Sequence, residues 1–540
     1  MLRNTIQKLG YFLLKPFREH FIFMIVFFIL VTFLLPVYEV VYEHLYINAI
    51  ILSIHCFVLS FVMTLVIGLI KPNFLRQTIQ VFLLTTLGII FAISFYCLFV
   101  LGYLFDSDVA QLILGTDVNE AKEFASVMIP KWAIFTIFGF FLILAILSYL
   151  STHYNLNLGK LSSKAALGIT CLCIIVNINC WNIWQDGPIN VMTQFLNYQV
   201  PDDLHSHYTH PNITFSDEQQ GVHNIILIIG ESFARSHSSL YGYDRMTNPY
   251  LDNLRDSSML FVIDSIDSPA SKTALSLKYM LSLYNKENSI ANKQWFDFTS
   301  IIELMQCCGY DCFWFGNQAK GSRHNSVSRL FAKACQHQKF LQHEGGDKLN
   351  TNFDMVLVDS SFNYVSHLNP EQKHFIIYHM MGSHFDFCMR YPQDFNKFSE
   401  KEYADSPQDH RSILASYDNS ILYNDYIVSL IMDLFKNKDA VVIYLPDHGQ
   451  VMFRDPNKPD FFAHATEKDS LQYALGVEIP FMIYASPLYQ ERHPDVIERI
   501  KYRQNHTKVW NSENLPYLIM DLIGVKEVDG VAVHPKSLLN

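Results

Sequence analysis

Acidic residues and a histidine follow two short apolar runs in the second half of this sequence. Glu231 comes directly after the run Asn224–Gly230, and Asp447 and His448 come soon after the run Ala440–Leu445. Carboxylate oxygens and imidazole nitrogens together are suitable ligands for a divalent metal ion, zinc or manganese most readily. Each residue alone has a structural explanation, since a Glu after a Gly can cap a helix. The combination nevertheless predicts a metal site.

Histidines near a third apolar run extend this set. The run Phe375–Met380 contains His379 and is followed by His384, and His464 comes shortly after the Asp-His pair. Most of the 22 histidines in the chain must be incidental. These three are therefore candidates because of the carboxylates near them, and not by their type alone.

The elements that would position these residues alternate along the chain. The predicted strands are Asn224–Gly230, Met259–Asp264, Asp311–Gly316, Asp354–Asp359, Phe375–Met380, Ala440–Leu445 and Ile479–Tyr484. The predicted helices include Thr299–Cys308, Ser420–Lys436 and Leu515–Ile523. Nearly continuous apolar strands between helices predict an α/β domain with a mostly parallel central sheet covered by helices. In such sheets ligands bind beyond the carboxyl ends of the strands, which is where Glu231 and Asp447 would lie.

The first third of the chain is a series of long apolar runs. A helix needs roughly 20 apolar residues to cross a bilayer, and five runs meet or approach that length. They are Phe21–Tyr38, Leu45–Ile70, Thr78–Phe105, Trp132–Leu150 and Ala165–Ile183. The first run could be a cleaved signal peptide, but it is long and four more follow, so we expect a retained anchor. The sequence predicts a membrane α-helical bundle of five spans.

Charged residues in the short loops predict the orientation of the spans. Lysine and arginine occur in the N-terminal stretch and after the second and fourth runs, whereas the alternate loops are acidic. Positive loops stay on the cytoplasmic side, so the N-terminus is predicted to be cytoplasmic and the α/β domain to lie outside. The predicted parts are a transmembrane domain over 1–183, an interfacial helix and linker over 184–215, and a catalytic domain over 216–540. A loop-packed connector is the alternative to the interfacial helix. The net charge of −11 argues against nucleic acid as a partner.

A long motif in the second half resembles a known family. The stretch Gly230–Pro249 is similar to the first motif of bacterial phosphoethanolamine transferases, which belong to the alkaline phosphatase and sulfatase superfamily. Further matches are Gly115–Asp117, Ser416–Asn419 and Asp447–Gly449. Five spans before an outer catalytic domain also match that family, so the resemblance covers nearly the whole chain.

The resemblance implies a ligand set and a nucleophile. Glu231, Asp447 and His448 would hold one zinc ion, with a second zinc ion or manganese as alternatives. In the family a threonine at the start of a helix is both ligand and nucleophile. Thr273 matches it here, with Ser271 as the nearest rival nucleophile.

Other positions are carried over from the same resemblance. His384 and His464 match family histidines that contact the phosphoryl group or a second metal. Lys320, Thr116 and Asn419 are weaker candidates for contacts with substrate.

The reaction implied is transfer of phosphoethanolamine from phosphatidylethanolamine to an envelope glycolipid or glycan, through a covalent intermediate on the threonine. A monomeric, multi-pass protein of the bacterial inner membrane is expected, with its catalytic domain in the periplasm. The cysteine pair that brackets the nucleophile in many lipid A transferases is missing around Thr273. The Ser239–Tyr243 run looks closer to the branch that acts on lipopolysaccharide core sugars or glucans. Lipid A, a core sugar and a glucan all remain open as acceptors.

Three other interpretations compete with this one. A lipoteichoic-acid-synthase-like enzyme shares the five spans and the threonine but transfers glycerol phosphate, and the long Gly230–Pro249 motif favours the ethanolamine branch. A true sulfatase is disfavoured because its Cys-or-Ser-x-Pro-x-Arg pattern is missing around Pro269. An inactive envelope binding protein on the same fold is disfavoured because the predicted ligands and the threonine are all present.

Overall fold

The computed structural model describes two compact units of the chain. The described residues are 19–32, 46–97, 131–153, 204, 211–215, 222–287, 294–318, 327–341, 353–462, 470–506 and 508–540. The first unit contains the helices before residue 154, and the second contains the α/β domain. The predicted limits of the domains fall largely outside these ranges and stay predictions.

Four apolar helices make up the described part of the first unit. They are α1 (Phe21–Thr32), α2 (Tyr46–Gly68), α3 (Asn73–Tyr96) and α4 (Lys131–His153). Among the described residues, two stretches are long and apolar enough to cross a membrane, Ala49–Gly68 and Asn73–Tyr96. The first and fourth predicted spans contain shorter apolar helices. The fifth, Ala165–Ile183, lies outside the described residues, so a bundle of five spans stays a prediction.

Large apolar side chains of these helices are exposed as well as buried. Phe23, Phe27 and Phe91 pack in a small core, whereas Phe82 is 68% and Phe135 is 73% exposed. A helix that is apolar on all sides is typical of a buried or membrane-spanning helix. The exposed rings are therefore consistent with lipid contact.

Eleven named strands form two sheets in the described part of the second unit. They are β1 (Ile213–Phe215), β2 (Asn224–Gly230), β3 (Leu260–Asp267), β4 (Tyr310–Gly316), β5 (His337–Phe340), β6 (Lys373–His379), β7 (Ala440–Pro446), β8 (Glu478–Ala485), β9 (Trp510–Asn511), β10 (Val525–Val528) and β11 (Val531–Ala532). The central sheet has the order β5-β4-β6-β2-β7-β8-β3-β9, and β1, β10 and β11 form a small separate sheet. Among the described strands of the central sheet, only β8 runs antiparallel to its neighbours. The prediction of a mostly parallel sheet is correct for this part of the chain.

The two innermost strands determine where the candidate ligands lie. β2 and β7 are buried along their whole length and pair in parallel from Asn224 opposite Ala440 to Gly230 opposite Pro446. Because the strands end in register, Glu231 and Asp447 leave the sheet side by side.

Helices cover both faces of this sheet. They are α5 (Pro249–Asp256), α6 (Thr273–Met280), α7 (Ile301–Cys307), α8 (Val327–Ala334), α9 (Met355–Ser366), α10 (Gln408–Leu434), α11 (Ser470–Val477), α12 (Pro487–Arg492), α13 (Pro494–Asn505) and α14 (Leu515–Leu522). Alternate residues of β2 belong to different cores: Ile225 and Leu227 pack in one, and Ile226 and Ile228 in the other. This is the period-two alternation of a strand between two helical layers.

Two predicted elements are corrected by the structure. The segment Asp354–Asp359, predicted as a strand, is instead the start of α9, whose buried residues Leu357, Ser361 and Val365 are spaced by four as on a helix face. A short apolar run cannot by periodicity alone distinguish a strand from a helix. The helix predicted over Ser420–Lys436 begins twelve residues earlier, at Gln408.

Candidate metal centre

Three candidate ligands meet at the carboxyl ends of β2 and β7. One ligand atom each of Glu231, Asp447 and His448 lies within 4.8 Å of the others. The His448 Nε2 atom is 3.2 Å from Glu231 Oε1 and 3.6 Å from Asp447 Oδ2. All three side chains are buried, with at most 1% of their surface exposed. The structure thus brings together residues that are more than 200 positions apart.

The hydrogen bonding of His448 suits a metal ligand. Its Nδ1 atom lies 2.7 Å from the carbonyl oxygen of Gly449. A carbonyl can only accept, so Nδ1 carries the proton in the neutral ring, and the Nε2 lone pair points towards the carboxylates. Gly449 itself must be glycine, because a Cβ there would lie 2.8 Å from the carbonyl oxygen of Glu478.

The pKa shifts of these three residues indicate a site that favours a cation. Burial and the Glu231 carboxylate raise the pKa of Asp447 to about 8. Burial would lower the pKa of His448, but the two carboxylates outweigh burial and raise that pKa. Burial would raise the pKa of Glu231, but the hydrogen bond and charge of His448 hold it well below its usual value. The raised pKa values favour protons on Asp447 and His448, and these protons offset the excess negative charge of the two carboxylates.

The donor set fits a divalent metal ion. Two carboxylates and one neutral imidazole are ligands that zinc accepts. The Asp447 Oδ2 atom is buried and has no hydrogen-bond partner among the described residues, and buried oxygens normally have one. Within the described residues no lysine or arginine pairs with either carboxylate. A bound cation would satisfy the unpaired oxygen and replace the protons.

Ser232 links the two carboxylates through a strained backbone. Its φ angle is 54°, a left-handed conformation that costs a residue other than glycine about 1–2 kcal/mol. In this conformation the Ser232 Oγ donates to Glu231 Oε1 at 2.8 Å. Its backbone N–H donates to Asp447 Oδ1 at 3.3 Å.

Glu231 is also held by residues that sequence reasoning missed. The Gln318 Nε2 group donates to Glu231 Oε2 at 2.8 Å and to the carbonyl of Met380 at 3.2 Å. The backbone of Gly382 passes so close that a Cβ there would lie 2.8 Å from the Glu231 nitrogen. No spacing rule marks Gln318 in the sequence, because it lies in the loop after β4 and approaches Glu231 only through sheet pairing.

Thr273 is the first residue of α6 and faces the same cluster. Its hydroxyl oxygen is 3.3 and 3.2 Å from the two carboxylate oxygens of Glu231 and 3.4 Å from His448 Nε2. Unlike the three buried residues, Thr273 is partly exposed. An incoming substrate could therefore reach its hydroxyl.

The remaining predicted site residues have different surroundings. His384 is half-buried, and its Nδ1 is 2.6 Å from the carbonyl of Phe385. Asn419 is fully buried, and its side-chain oxygen accepts from the backbone N–H groups of residues 397 and 398. His464, Lys320 and Thr116 lie outside the described residues.

Comparison with known proteins places this site in a family. The Sulfatase family model matches residues 223–525, which is more than half of the chain. The chain belongs to the sulfatase family. The match begins just before β2 and includes Glu231, Thr273, Asp447 and His448. The pattern expected of a true sulfatase nucleophile is nevertheless absent around Pro269.

Several relatives of the chain are named as transferases. The phosphoethanolamine transferase EptC of Escherichia coli O18:K1:H7 is 29% identical over 298 residues, which cover 53% of this chain and 49% of that protein. The chain thus spans about half the length of the curated relatives it matches.

Solved structures share the fold. The C-terminal periplasmic domain of EcEptC from Escherichia coli, in complex with Zn, matches with a TM-score of 0.53 at 24% identity, over 62% of this chain and 90% of that one. The integral membrane protein lipooligosaccharide phosphoethanolamine transferase A from Neisseria meningitidis matches with a TM-score of 0.60 at 16% identity, over 93% of this chain and 94% of that one. This second match shows that the fold of most of this chain also occurs in an integral membrane protein.

Proposed function

We propose that this protein transfers phosphoethanolamine from phosphatidylethanolamine to a glycolipid or glycan of the cell envelope, with Thr273 as the nucleophile. The observation that carries the proposal is the position of the Thr273 hydroxyl, within 3.4 Å of atoms of Glu231 and His448. The named activity of the relatives supports phosphoethanolamine as the transferred group.

Glu231, Asp447 and His448 would hold one zinc ion, and Thr273 would contact it. A zinc complex of a structural neighbour supports the choice of metal. A second zinc ion near His384 and His464, or manganese in place of zinc, is the alternative. When bound, the metal would lower the pKa of the threonine hydroxyl and neutralise charge on the phosphoryl oxygens.

The first half of the reaction makes a covalent intermediate. The Thr273 oxygen forms a bond to the phosphorus of the lipid, and the bond from phosphorus to the diacylglycerol oxygen breaks. The hydroxyl proton leaves Thr273, and diacylglycerol takes up a proton as it departs. A neutral threonine hydroxyl is a weak nucleophile, so its place beside Glu231 and His448 is what makes attack feasible.

The second half transfers the group to the acceptor. A hydroxyl or phosphate oxygen of the acceptor bonds to phosphorus, the bond to Thr273 breaks, and the threonine regains its proton. We assign proton movement to His384 and His464. Lys320, Thr116 and Asn419 stay candidates for substrate contacts.

The N-terminal helices would keep the enzyme at the membrane that holds its donor. We propose a monomeric protein with five spans in the bacterial inner membrane, an N-terminus in the cytoplasm and the sulfatase-family domain in the periplasm. Lipopolysaccharide core and lipid A are the proposed acceptors, and the Ser239–Tyr243 run, which resembles the branch that acts on core sugars, favours the core. An outer domain next to the lipid head groups explains why a soluble fold is joined to apolar helices.

A donor assay tests the proposal. The full chain in detergent is supplied with lipopolysaccharide and with either phosphatidylethanolamine or phosphatidylglycerol, each labelled in the head group. Label should reach lipopolysaccharide from phosphatidylethanolamine only, and chelator or Thr273→Ala should abolish transfer. Ser271→Ala tests the rival nucleophile and should retain transfer. Label from phosphatidylglycerol alone, or full activity in Thr273→Ala, would overturn the proposal.

A further inference from the structure

The motif Ser416–Asn419 lies in the middle of α10 and contacts the turn that follows Glu231. Tyr417 in this motif is fully buried. Its hydroxyl donates to the carbonyl oxygen of Ser232 at 2.7 Å and accepts the backbone N–H of Ala234 at 2.8 Å. One side-chain hydroxyl thus bridges both ends of a three-residue turn.

This turn contains the strained residue of the site. Ser232 adopts the left-handed conformation, which a serine keeps only when its surroundings hold it there. In that conformation its N–H group and its Oγ contact Asp447 and Glu231. The Ser232 Cβ lies beyond the N–Cα bond as seen from Glu231, so a relaxation of φ to negative values would swing the Oγ away from the Glu231 carboxylate.

The Tyr417 ring is fixed independently of its hydroxyl. It packs edge-on against His237, with ring centres 5.1 Å apart, and against Phe387 at 4.8 Å. Phenylalanine at position 417 would keep these contacts but leave the buried Ser232 carbonyl and Ala234 N–H without this partner. Tyr417→Phe therefore removes the hydrogen bonds to the turn without changing how the ring packs in the core.

We propose that Tyr417 is a positioning residue for the metal centre, acting through the turn at Ser232 to orient Glu231 and Asp447. This rests on the proposed function, since it assumes that these carboxylates hold a metal ion. Among the contacts of the described residues, Tyr417 bonds to neither the metal ligands nor Thr273. Its effect is transmitted by Ser232, as outer hydrogen bonds commonly orient metal ligands.

Zinc affinity of the purified full chain tests this inference. Metal-free wild type, Tyr417→Phe, Tyr489→Phe and Asp447→Asn are titrated with zinc against a chromophoric chelator, and the melting temperature of each metal-free protein is recorded. The zinc Kd of Tyr417→Phe should rise about 10- to 100-fold. Tyr489 is the matched control, because it is equally buried and its hydroxyl has no hydrogen-bond partner among the described residues. Its phenylalanine variant should bind zinc like the wild type.

A purely structural role would give a different pattern. Tyr417→Phe would then have a lower melting temperature than the wild type but the same zinc Kd. That result would overturn the inference. In a Ser232→Gly background, Tyr417→Phe should raise the Kd by a smaller factor, because glycine adopts a positive φ unaided. An equal factor in both backgrounds would also count against the inference.

Two further outcomes separate the inference from the proposed function. If the wild type binds zinc no more tightly than Asp447→Asn, the metal site itself is wrong, and the role of Tyr417 is wrong with it. If Tyr417→Phe does not fold, Ser232→Ala reports on the same turn, because it removes the bond to Glu231 Oε1. Its zinc Kd should also rise, and an unchanged Kd would overturn the inference.

Discussion

The two ends of strands β2 and β7 both carry a buried carboxylate and histidines, but their charges are arranged differently. At the amino ends, Asp439 pairs with Arg492 at 3.0 Å and lies near His493 and His223, at 3.5 and 3.7 Å. At the carboxyl ends, Asp447 and Glu231 lie beside His448, and among the described residues no lysine or arginine pairs with either carboxylate.

The difference separates a structural ion pair from a site that needs a ligand. Burial would raise the pKa of Asp439, but the nearby His493 and Arg492 side chains outweigh burial and lower it. The pKa of Asp447 is instead raised. Asp439 precedes β7 and is neutralised by the protein itself, whereas Asp447 follows β7 and depends on protons or a bound cation for charge balance.

Removal of the carboxylate at the carboxyl end should have the largest effect. Asp447→Asn should raise the zinc Kd by more than about 100-fold, because even loss of an outer hydrogen bond to a ligand costs 10- to 100-fold. Asp439→Asn, which makes the same chemical change at the other end, should leave the zinc Kd unchanged. Competition titration with a chelator measures both. An equal zinc Kd for the two variants would contradict the claim that only the carboxyl ends of β2 and β7 bind metal.

Loss of the amide that supports Glu231 should have a smaller effect. Gln318→Leu removes the hydrogen bond to Glu231 Oε2 and should weaken zinc binding about 10-fold, the lower end of the range for such partners. Gln490→Leu is the control, since its amide also donates two bonds, to the carbonyls of Ser258 and Ala485. Transfer rates at limiting and saturating zinc measure the effect. A rate deficit in Gln318→Leu that persists at saturating zinc would contradict a role in metal binding.

The ion pair at the amino ends should affect stability alone, and only above acid pH. Because the folded-state pKa of Asp439 is lowered, its contribution is present above the unfolded value near 3.9 and is lost as pH falls through the folded value. Asp439→Asn should therefore reduce the free energy of unfolding by about 1–3 kcal/mol at neutral pH, and the difference should shrink below about pH 4. Urea unfolding followed by tryptophan fluorescence tests this. A difference that grows in acid would contradict the assigned direction.

Much of the site at the carboxyl ends of β2 and β7 could be predicted from the sequence, because its residues directly follow these two strands. β2 and β7 are continuous apolar runs, so the sequence alone assigns Glu231, Asp447 and His448 to one edge of a sheet. Their roles as ligands, and that of Thr273 as nucleophile, stay proposals that the geometry supports. The amino end was not predicted, since Asp439 and Arg492 belong to separate elements with no recognisable motif.

Other features depended on tertiary contacts that sequence patterns do not contain. Asp354 begins a helix and accepts hydrogen bonds from the backbone of Met381 and Gly382, whereas its apolar neighbours suggested a strand. Gln318 and Tyr417 reach the site through the packing of a loop and of α10. The Ser416–Asn419 match indicated that this part of α10 matters, but not that a tyrosine hydroxyl would hold the turn at Ser232.

Trapping the covalent intermediate tests the central claim most directly. The full chain is mixed with phosphatidylethanolamine without acceptor, quenched in acid, digested and analysed by mass spectrometry. We predict one added phosphoethanolamine group on Thr273, absent from the chelated protein and from Asp447→Asn. An adduct on Ser271, or turnover with acceptor but no adduct on Thr273 under quenching, would contradict the account.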